Sequence, residues 1–536
     1  MRLPTALLPL RHPAFRLIWL ANLCANTGMW MQNTGAGWLM TSLAPSPVMV
    51  SLVQVAALLP VFLFALPAGA LADILDRRLY LIAAQGWMAL AGAGLALLTF
   101  AGAIGPWGLL LFTFMIGAGT AAASPAWAAT TPELVPRADL TGAIVLNGIG
   151  FNLTRAVGPA IGGFTVAFAG AEATFALNAL SFIVVIFALL AWKRDEPRRS
   201  KLPKEHFLSA MRAGVGFVRA SPPMRAVTIR GCVFFGFLAA IWGLLPLLVR
   251  EQLRLGPEWY GITLAAMGIG AVSGGFLLPE LRTRLGRGRT VTASCIGGGA
   301  ALALLGQSWH PALALVAMLL FGFAWIAGAS TLQAAAQLSA PSWVRARAIG
   351  IYQLATFGAL ALGTALGGWA GEVFGLPLAL AAFGAACGVG AVLVRRFSIE
   401  PPASPATPSP AATMPAPEPA APALAPLLAG SSDRVLAVVR YTVAPADRAA
   451  FLAAMEECRG VRLRAGALGW QLFEDVAHPE RWVELWWVES WTDHLREADR
   501  LTDFDRATLA RAAALQRDGT APEAARYLNV IPDEVR

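Results

Sequence analysis

The chain has 536 residues, of which 57% are hydrophobic and only 14% are charged. Soluble globular domains carry roughly a quarter charged residues, so this composition excludes an ordinary soluble enzyme and predicts a protein that resides in lipid. The net charge of +9 is unevenly placed, because residues 1–432 hold the excess of Lys and Arg, whereas residues 433–536 hold more Asp and Glu. The basic excess therefore predicts membrane topology rather than binding to nucleic acid.

Apolar segments long enough to cross a bilayer recur along most of the chain. A membrane-spanning helix needs about 20 mostly apolar residues. Windows of this kind, separated by charged or Pro- and Gly-rich breaks, predict twelve helices at 16–41, 48–72, 79–102, 107–130, 140–169, 171–192, 224–249, 257–280, 290–307, 311–338, 345–373 and 376–396.

The basic residues predict how these helices are oriented. Lys and Arg collect in cytoplasmic loops. If the N-terminus is inside, every second loop is basic, and the outer loops hold only Arg250 and Arg254. We therefore expect a multi-pass protein of the bacterial inner (plasma) membrane with both termini in the cytoplasm.

A cytoplasmic loop at 193–223 divides the membrane region into halves at about 1–192 and 224–397. The halves resemble each other, because Pro136, Gly158 and Gly162 recur at one constant offset as Pro341, Gly363 and Gly367. Two six-helix repeats are the pattern of major facilitator transporters, which bind substrate between the halves. The predicted fold is thus an all-α membrane domain over residues 1–397.

A different composition follows the last apolar segment. Residues 398–432 are dominated by Pro and Ala and predict an extended linker. Residues 433–536 predict strand, helix, strand, strand, helix and strand, at 434–443, 444–464, 467–475, 481–490, 492–500 and 526–531. This order is typical of a ferredoxin-like α+β domain, and such domains can form homodimers through their sheets.

The loop after the second helix carries a candidate gating motif made of Gly69, Asp73, Asp76, Arg77 and Arg78. It resembles the signature loop of the major facilitator superfamily. The resemblance implies that Asp73 and Arg77 hold the outward-facing state of the transporter and separate as the halves move. An ordinary charged turn between helices is the alternative.

The fifth helix carries Arg155, Gly158, Pro159, Gly162 and Gly163. Small residues permit close helix packing and proline bends a helix, so tight packing at a kink is one interpretation. The segment also resembles the Gly-Pro motif of proton-coupled antiporters, and this resemblance implies export.

Polar and aromatic residues at membrane depth predict a wet central cavity. Arg155 must face a partner or water, because a charged group in the bilayer centre costs about 3 kcal/mol or more. It can contact an anionic substrate group or form a structural bond to a neighbouring helix. Hydrogen bonds between helices are the alternative for the other residues. The predicted cavity residues are Asn22, Asn26, Trp30, Asn33, Gln54, Asn147, Asn152, Arg155, Trp242, Gln333, Tyr352 and Gln353.

The membrane region carries further motifs at Thr131–Arg137, Trp343–Ala348 and Tyr352-Gln353. With Arg155 and Gly158-Pro159, they resemble the bacterial transmembrane secretion effector branch of major facilitator exporters. The resemblance implies a secondary-active, proton-coupled exporter of a siderophore, drug or metabolite. We predict no metal site, no cofactor, no catalytic residue in the membrane domain and no nucleic-acid partner.

The tail resembles antibiotic-biosynthesis monooxygenases through Arg464, Gly466-Ala467, Trp470, Ser490-Trp491 and His494. A fused transporter and enzyme that modifies a hydrophobic substrate is therefore one alternative, and a sensing or dimerisation module is another. An exposed pocket lined by Trp470, Trp482, Trp486 and His494 would favour the enzyme or the sensor.

Overall fold

A computed structural model describes residues 5–136, 139–192, 215–341, 344–400, 421, 434–501, 503–517 and 520–529. Most of the predicted loop at 193–223 and of the predicted linker at 398–432 lies outside the described residues. The first half contains a short 3₁₀ helix (Thr5–Arg11), α1 (Pro13–Leu43), α2 (Pro47–Ile74), α3 (Arg77–Phe100), α4 (Pro106–Leu134) and α5 (Leu140–Ala191). Proline at the first position begins α1, α2 and α4, where a missing N–H costs nothing.

The second half contains α6 (Pro222–Leu238), α7 (Ala240–Leu247), a π-helical turn (Leu248–Gln252), α8 (Pro257–Gly306), α9 (Pro311–Ser339), α10 (Arg345–Phe374) and α11 (Leu376–Val394). The sequence predicts one helix over 224–249, and the structure has α6, α7 and the π turn there. Pro246 lies inside α7, and a proline removes one hydrogen bond from the helical ladder.

Two helices are twice as long as a membrane crossing and change direction at one glycine. Gly170 in α5 has φ 80° and Gly286 in α8 has φ 76°. A residue with a side chain rarely adopts this conformation, so glycine is required at both breaks. Gly170 lies between the predicted helices 140–169 and 171–192, and Gly286 lies between 257–280 and 290–307.

Among the described residues, nine helical runs are long and apolar enough to cross a membrane. Two of them, Gly142–Ala191 and Pro257–Gly306, are the runs that contain the glycine breaks. The first helix is not among the nine. The membrane region is therefore mostly helical and multi-pass.

The tail is a four-stranded antiparallel sheet covered on one face by helices. Its elements are β1 (Val435–Thr442), α12 (Arg448–Ala465), β2 (Gly469–Glu474), β3 (Arg481–Val488), α13 (Trp491–Arg500), α14 (Asp503–Ala513) and β4 (Glu523–Leu528), in the sheet order β2-β3-β1-β4. Side chains alternate across a strand. Alternate residues of β1 and β3, such as Tyr441 and Trp486, thus join Phe451 and Met455 of α12 in one core. Helix α14 is absent from the sequence prediction.

Candidate functional site: the cleft between the halves

Helix α5 packs closely against α1 of its own half and α8 of the other half. A Cβ atom on Gly163 would lie 2.6 Å from the carbonyl oxygen of Pro257 and 2.8 Å from Cα of Gly261. On the neighbouring face, a Cβ atom on Gly162 would lie 2.8 Å from Cα of Met31. Such distances are below normal contact, so only glycine permits these approaches. Of the glycines predicted for close packing, Gly163 therefore lies where the backbones of the two halves meet, and Gly162 lies against α1 of its own half.

A second contact between the halves surrounds Ser51 of α2. Gly243 of α7 and Gly368 of α10 both face the Ser51 side chain, and Cβ atoms on them would lie 2.0 Å and 2.4 Å from its Oγ. The Ser51 side chain is buried and lacks a hydrogen-bond partner among the described residues. The two contact regions lie from mid-membrane towards the end of the bundle where residues 44–46 join α1 to α2, which we name the 44–46 end.

A cluster of aromatic rings lies at mid-membrane depth between the halves. The Trp242 ring contacts the rings of Trp30 in α1 and Trp325 in α9, with centroid distances of 6.5 Å and 5.8 Å. Phe234 and Phe235 of α6 lie 5.6 Å and 5.4 Å from the Trp325 ring. These are normal separations for aromatic pairs. The rings thus form one surface to which both halves contribute, which we name the aromatic surface.

Arg155 of α5 extends from the first half to this aromatic surface. Its guanidinium carbon lies 5.7 Å from the centroid of the Trp325 ring, within the range of a cation–π contact. Among the described residues, Arg155 has no ion-pair or hydrogen-bond partner in the protein. A cation held over an aromatic face without a carboxylate partner can accept an anionic group from a ligand.

The other predicted cavity residues differ in exposure. Asn152 donates to the Gly148 carbonyl of its own helix (2.8 Å), and Asn147 donates to Thr131 Oγ1 (3.3 Å), which is a bond between helices. Tyr352 is only 2% exposed. Gln353 is exposed, and the half-buried members of the set are Asn22, Asn26, Asn33, Gln54 and Gln333. Their contact with substrate stays a prediction.

Residues 4–533 match the sequence model of one protein family. This family is described as transmembrane secretion effector and lies within the major facilitator superfamily. The chain belongs to this family. The match extends over the membrane region and the tail, so the secretion effector family includes chains with both parts.

Individual relatives and solved structures agree with this assignment. The enterobactin exporter EntS of Escherichia coli O1:K1 is 26% identical over 408 residues, which cover 73% of this chain and 95% of the relative. EntS of Shigella boydii serotype 18 has the same identity and coverage. These relatives show that the chain is a membrane transporter.

Solved structures of three transporters share the fold of the membrane region. They are a POT family transporter in complex with 5-aminolevulinic acid, a bacterial homolog of the lysosomal transporter Spinster in an inward-facing conformation and a bacterial homologue of ferroportin in the inward-facing state. In this order, their TM-scores are 0.60, 0.57 and 0.55, and their sequence identities are 12%, 14% and 16%. The matches cover 72%, 74% and 72% of this chain and 96%, 99% and 98% of the solved chains. The fold of the membrane region is therefore that of major facilitator transporters.

The candidate gating residues of this secretion effector lie at the end of the bundle opposite the 44–46 end. Asp76 caps α3 by accepting from the Leu79 N–H (2.9 Å), and Arg77 pairs with Glu133 of α4 (2.7 Å). Arg78 donates to the carbonyls of Leu189 and Leu190, both at 2.7 Å. Gly69 and Asp73 lie in α2, but the burial of Gly69 and the side chain of Asp73 are outside what the structure describes. The predicted Asp73–Arg77 pair stays a prediction.

The tail holds a buried polar network centred on Glu484 of β3, which is 0% exposed. Arg462 donates to both carboxylate oxygens of Glu484 (3.0 and 3.3 Å), Trp470 donates to one (3.0 Å) and Tyr441 donates to the other (3.1 Å). Burial lowers the pKa of Arg462, but the ion pair with Glu484 outweighs burial and the net shift is upward. The carboxylate is therefore fully bonded within the protein.

Two of the four residues whose exposure in a pocket would favour an enzyme or a sensor are buried in the tail. Trp482 and Trp486 are 4% and 5% exposed and lie in the core beneath the helices, because even-numbered residues of β3 face that side. Trp486 donates to Glu497 (2.7 Å), whose other oxygen is 2.7 Å from His494 Nδ1. These side chains are thus occupied by contacts within the domain.

Sequence reasoning missed several residues that lie where the two halves meet. Trp325 is the centre of the aromatic surface, and its signal was a tryptophan in the middle of an apolar segment rather than at the lipid headgroup boundary. The sequence predicts only that Arg250 lies in an outer loop, but both Arg250 and Glu372 bond to the opposite half.

Proposed function

We propose that this secretion effector exports a small organic molecule of siderophore type through the cleft between its halves. The observation that carries the proposal is the position of Arg155, which lies over the Trp325 ring without a carboxylate partner among the described residues. Siderophores commonly carry anionic oxygen groups, and such groups pair well with a guanidinium. The enterobactin exporters among its relatives support the siderophore class.

The proposed topology has twelve membrane crossings with both termini in the cytoplasm. Support comes from the two 50-residue runs, each of which provides one crossing on each side of its glycine break. Together with α1 and the remaining seven runs, this gives the twelve. The distribution of Lys and Arg supports an outer position for the 44–46 end.

The proposed mechanism is alternating access driven by proton antiport. The halves contact each other from mid-membrane towards the 44–46 end, an arrangement that fits a state open to the cytoplasm. The Gly158-Pro159 segment supports antiport through its resemblance to proton-coupled exporters. In proteoliposomes, collapse of the pH gradient should slow export, and collapse of the membrane potential should slow it as well, because exchange of an anionic substrate for a proton moves net charge across the membrane.

We propose that the tail regulates or joins transporters and does not carry out chemistry. Its order β2-β3-β1-β4 supports a ferredoxin-like assignment, and the saturated bonds of Glu484 support a structural role for its buried charges. A chain stopped at residue 432 should then keep export and lose only its regulation or self-association.

The test is export of labelled siderophores from cells that express the intact chain, Arg155→Gln, or the chain stopped at 432. We expect export by the intact chain and by the shortened chain, and loss of export in Arg155→Gln. Arg155→Lys is the matched control, because it keeps the positive charge and should retain part of the export.

The amount of each protein in purified membranes must be equal for this comparison. Export of none of the compounds by the intact chain would refute the proposed function. Export by Arg155→Gln at the rate of the intact chain would remove Arg155 from the substrate site and leave the transporter assignment in place.

A further inference from the structure

Arg250, in the π-helical turn after α7, bonds to the first half. Its guanidinium donates to Thr41 Oγ1 of α1 (2.7 Å) and to Ser42 Oγ. The guanidinium carbon of Arg250 lies 5.7 Å from the centroid of the Trp38 ring. Loops on the outer side of the predicted topology hold only two arginines, and one of them thus connects the halves.

Tyr260 extends this contact to α8. Its ring stacks on Trp38 with a centroid distance of 6.2 Å, and it is only 3% exposed. A Cβ atom on Gly37 would lie 3.3 Å from the Tyr260 hydroxyl, so the small residue makes room for the ring. Arg250 and Tyr260 therefore contact Trp38 together, from two elements of the second half.

Glu372, near the end of α10, bonds to the start of α2 in the first half. Its carboxylate accepts from the Ser46 hydroxyl and from the Val48 N–H (3.3 Å). Ser46 is the N-cap of α2, and the first N–H groups of a helix lack partners within that helix and favour negative charge. Glu372 thus occupies an anion-binding helix start that belongs to the other half.

The Arg250 and Glu372 contacts lie at the same end of the bundle and join different pairs of helices. Arg250 joins the turn after α7 to α1, and Glu372 joins α10 to α2. Between them, Gly243 and Gly368 pack closely against the Ser51 side chain. A movement that separated the halves at this end would break both charged contacts and expose this packing.

We propose that Arg250 and Glu372 form an inter-half clasp that keeps the 44–46 end closed, with Thr41, Ser42 and Ser46 as its partners. The proposal rests on the alternating access proposed above, because it assigns these residues to one state of that cycle. The clasp selects the closed state, since its bonds exist only while the halves touch at this end.

The test is hydrogen–deuterium exchange of the full-length protein in nanodiscs, which needs no substrate. We expect the double variant Arg250→Gln/Glu372→Gln to raise backbone exchange in peptides that cover 38–50, 247–258 and 368–376 by about three- to tenfold. Peptides that cover 83–97 of α3 should exchange as in the wild type, because α3 lies away from the clasp.

The matched control is Arg254→Gln/Glu251→Gln, which likewise removes one positive and one negative charge, both from residues close to Arg250 in the sequence. Neither Arg254 nor Glu251 forms an ion pair or side-chain hydrogen bond within the part of the chain that the structure describes. Unchanged exchange in the clasp variant, or an equal rise in the control, would overturn the proposal.

A milder variant covers the case in which the double variant does not fold. Thr41→Val is isosteric and removes one acceptor of Arg250, so it should raise exchange in 38–50 and 247–258 but not in 83–97. Wild-type exchange in Thr41→Val would then overturn the Arg250 contact. A clasp effect in a protein that exports nothing would refute the proposed function and leave the clasp in place.

Discussion

Arg155 in the membrane region and Arg462 in the tail are both arginines over a tryptophan ring, but their partners differ. The Arg462 guanidinium lies 3.7 Å from the Trp486 ring centroid and bonds to both oxygens of Glu484. Arg155 lies 5.7 Å from the Trp325 ring, without a carboxylate among the described residues. A guanidinium with all its partners inside the protein stabilises a fold, whereas one without them is available to a ligand.

The comparison predicts the largest loss of stability for Arg462→Met. The change leaves the Glu484 carboxylate buried without its cation, which should lower the free energy of unfolding of the tail by about 3–5 kcal/mol. Denaturant unfolding of the purified chain measures this loss. Alkylation of the buried Cys458 reports the fraction that is unfolded at each denaturant concentration. Burial raises the pKa of Cys458 to about 12, so the thiol should react only after unfolding.

Arg459→Met is the control for this prediction. Arg459 pairs with Glu456 at the surface, where both side chains are about half exposed or more. A surface pair contributes about 0–1 kcal/mol. An equal effect of the two substitutions would contradict the role given to the buried pair.

The stability of the membrane region should depend on close helix packing, whereas the stability of the tail depends on a buried ion pair. Gly163→Ile places a side chain against the backbone of Pro257 and Gly261, and overpacking of this kind typically costs about 1–3 kcal/mol. Thermal unfolding of the membrane region in detergent measures this loss of stability. Gly148→Ala, with nothing within 4 Å of its added Cβ atom, is the control and should leave the melting temperature unchanged.

The Glu484 network also predicts a loss of tail stability in alkali. Burial, and then the Glu484 charge, raise the pKa of Tyr441 well above 10.0. The folded state therefore keeps a proton that the unfolded state loses, so the stabilisation is complete below pH 10 and declines as the pH rises further, by up to about 1.4 kcal/mol per pH unit. In Tyr441→Phe the decline should be shallower, and an identical pH dependence would exclude Tyr441 as its source.

The smallest effect on stability is expected for Arg155→Gln. The substitution removes one cation–π contact, worth under about 1 kcal/mol, and should leave thermal unfolding of the membrane region almost unchanged. Export should nevertheless fall at least about tenfold, since a charged hydrogen bond to the substrate is lost. A melting temperature lowered as much as by Gly163→Ile would show that Arg155 is structural, like Arg462.

Periodicity and composition predict the elements of this protein better than their contacts. Apolar length places the membrane helices, and the break between 140–169 and 171–192 coincides with Gly170. Strand alternation places β2 and β3, but α14 escapes prediction because its two large apolar residues, Phe504 and Leu509, do not recur at helical spacing. Arg155 stands out because a charge at membrane depth is costly. Trp325, Arg250 and Glu372 do not, because their roles come from contacts with helices that are distant in sequence.

The single-residue turn at Gly170 has a practical consequence for experiments on topology. The two arms of α5 meet there without a loop, and an added Cβ atom would lie against the Glu172 carboxylate. A reporter tag inserted at this point would have to unwind the ends of both arms, so its failure would carry no information about sidedness. The turn at 101–105 between α3 and α4, which is exposed in part, offers a better place for such a tag.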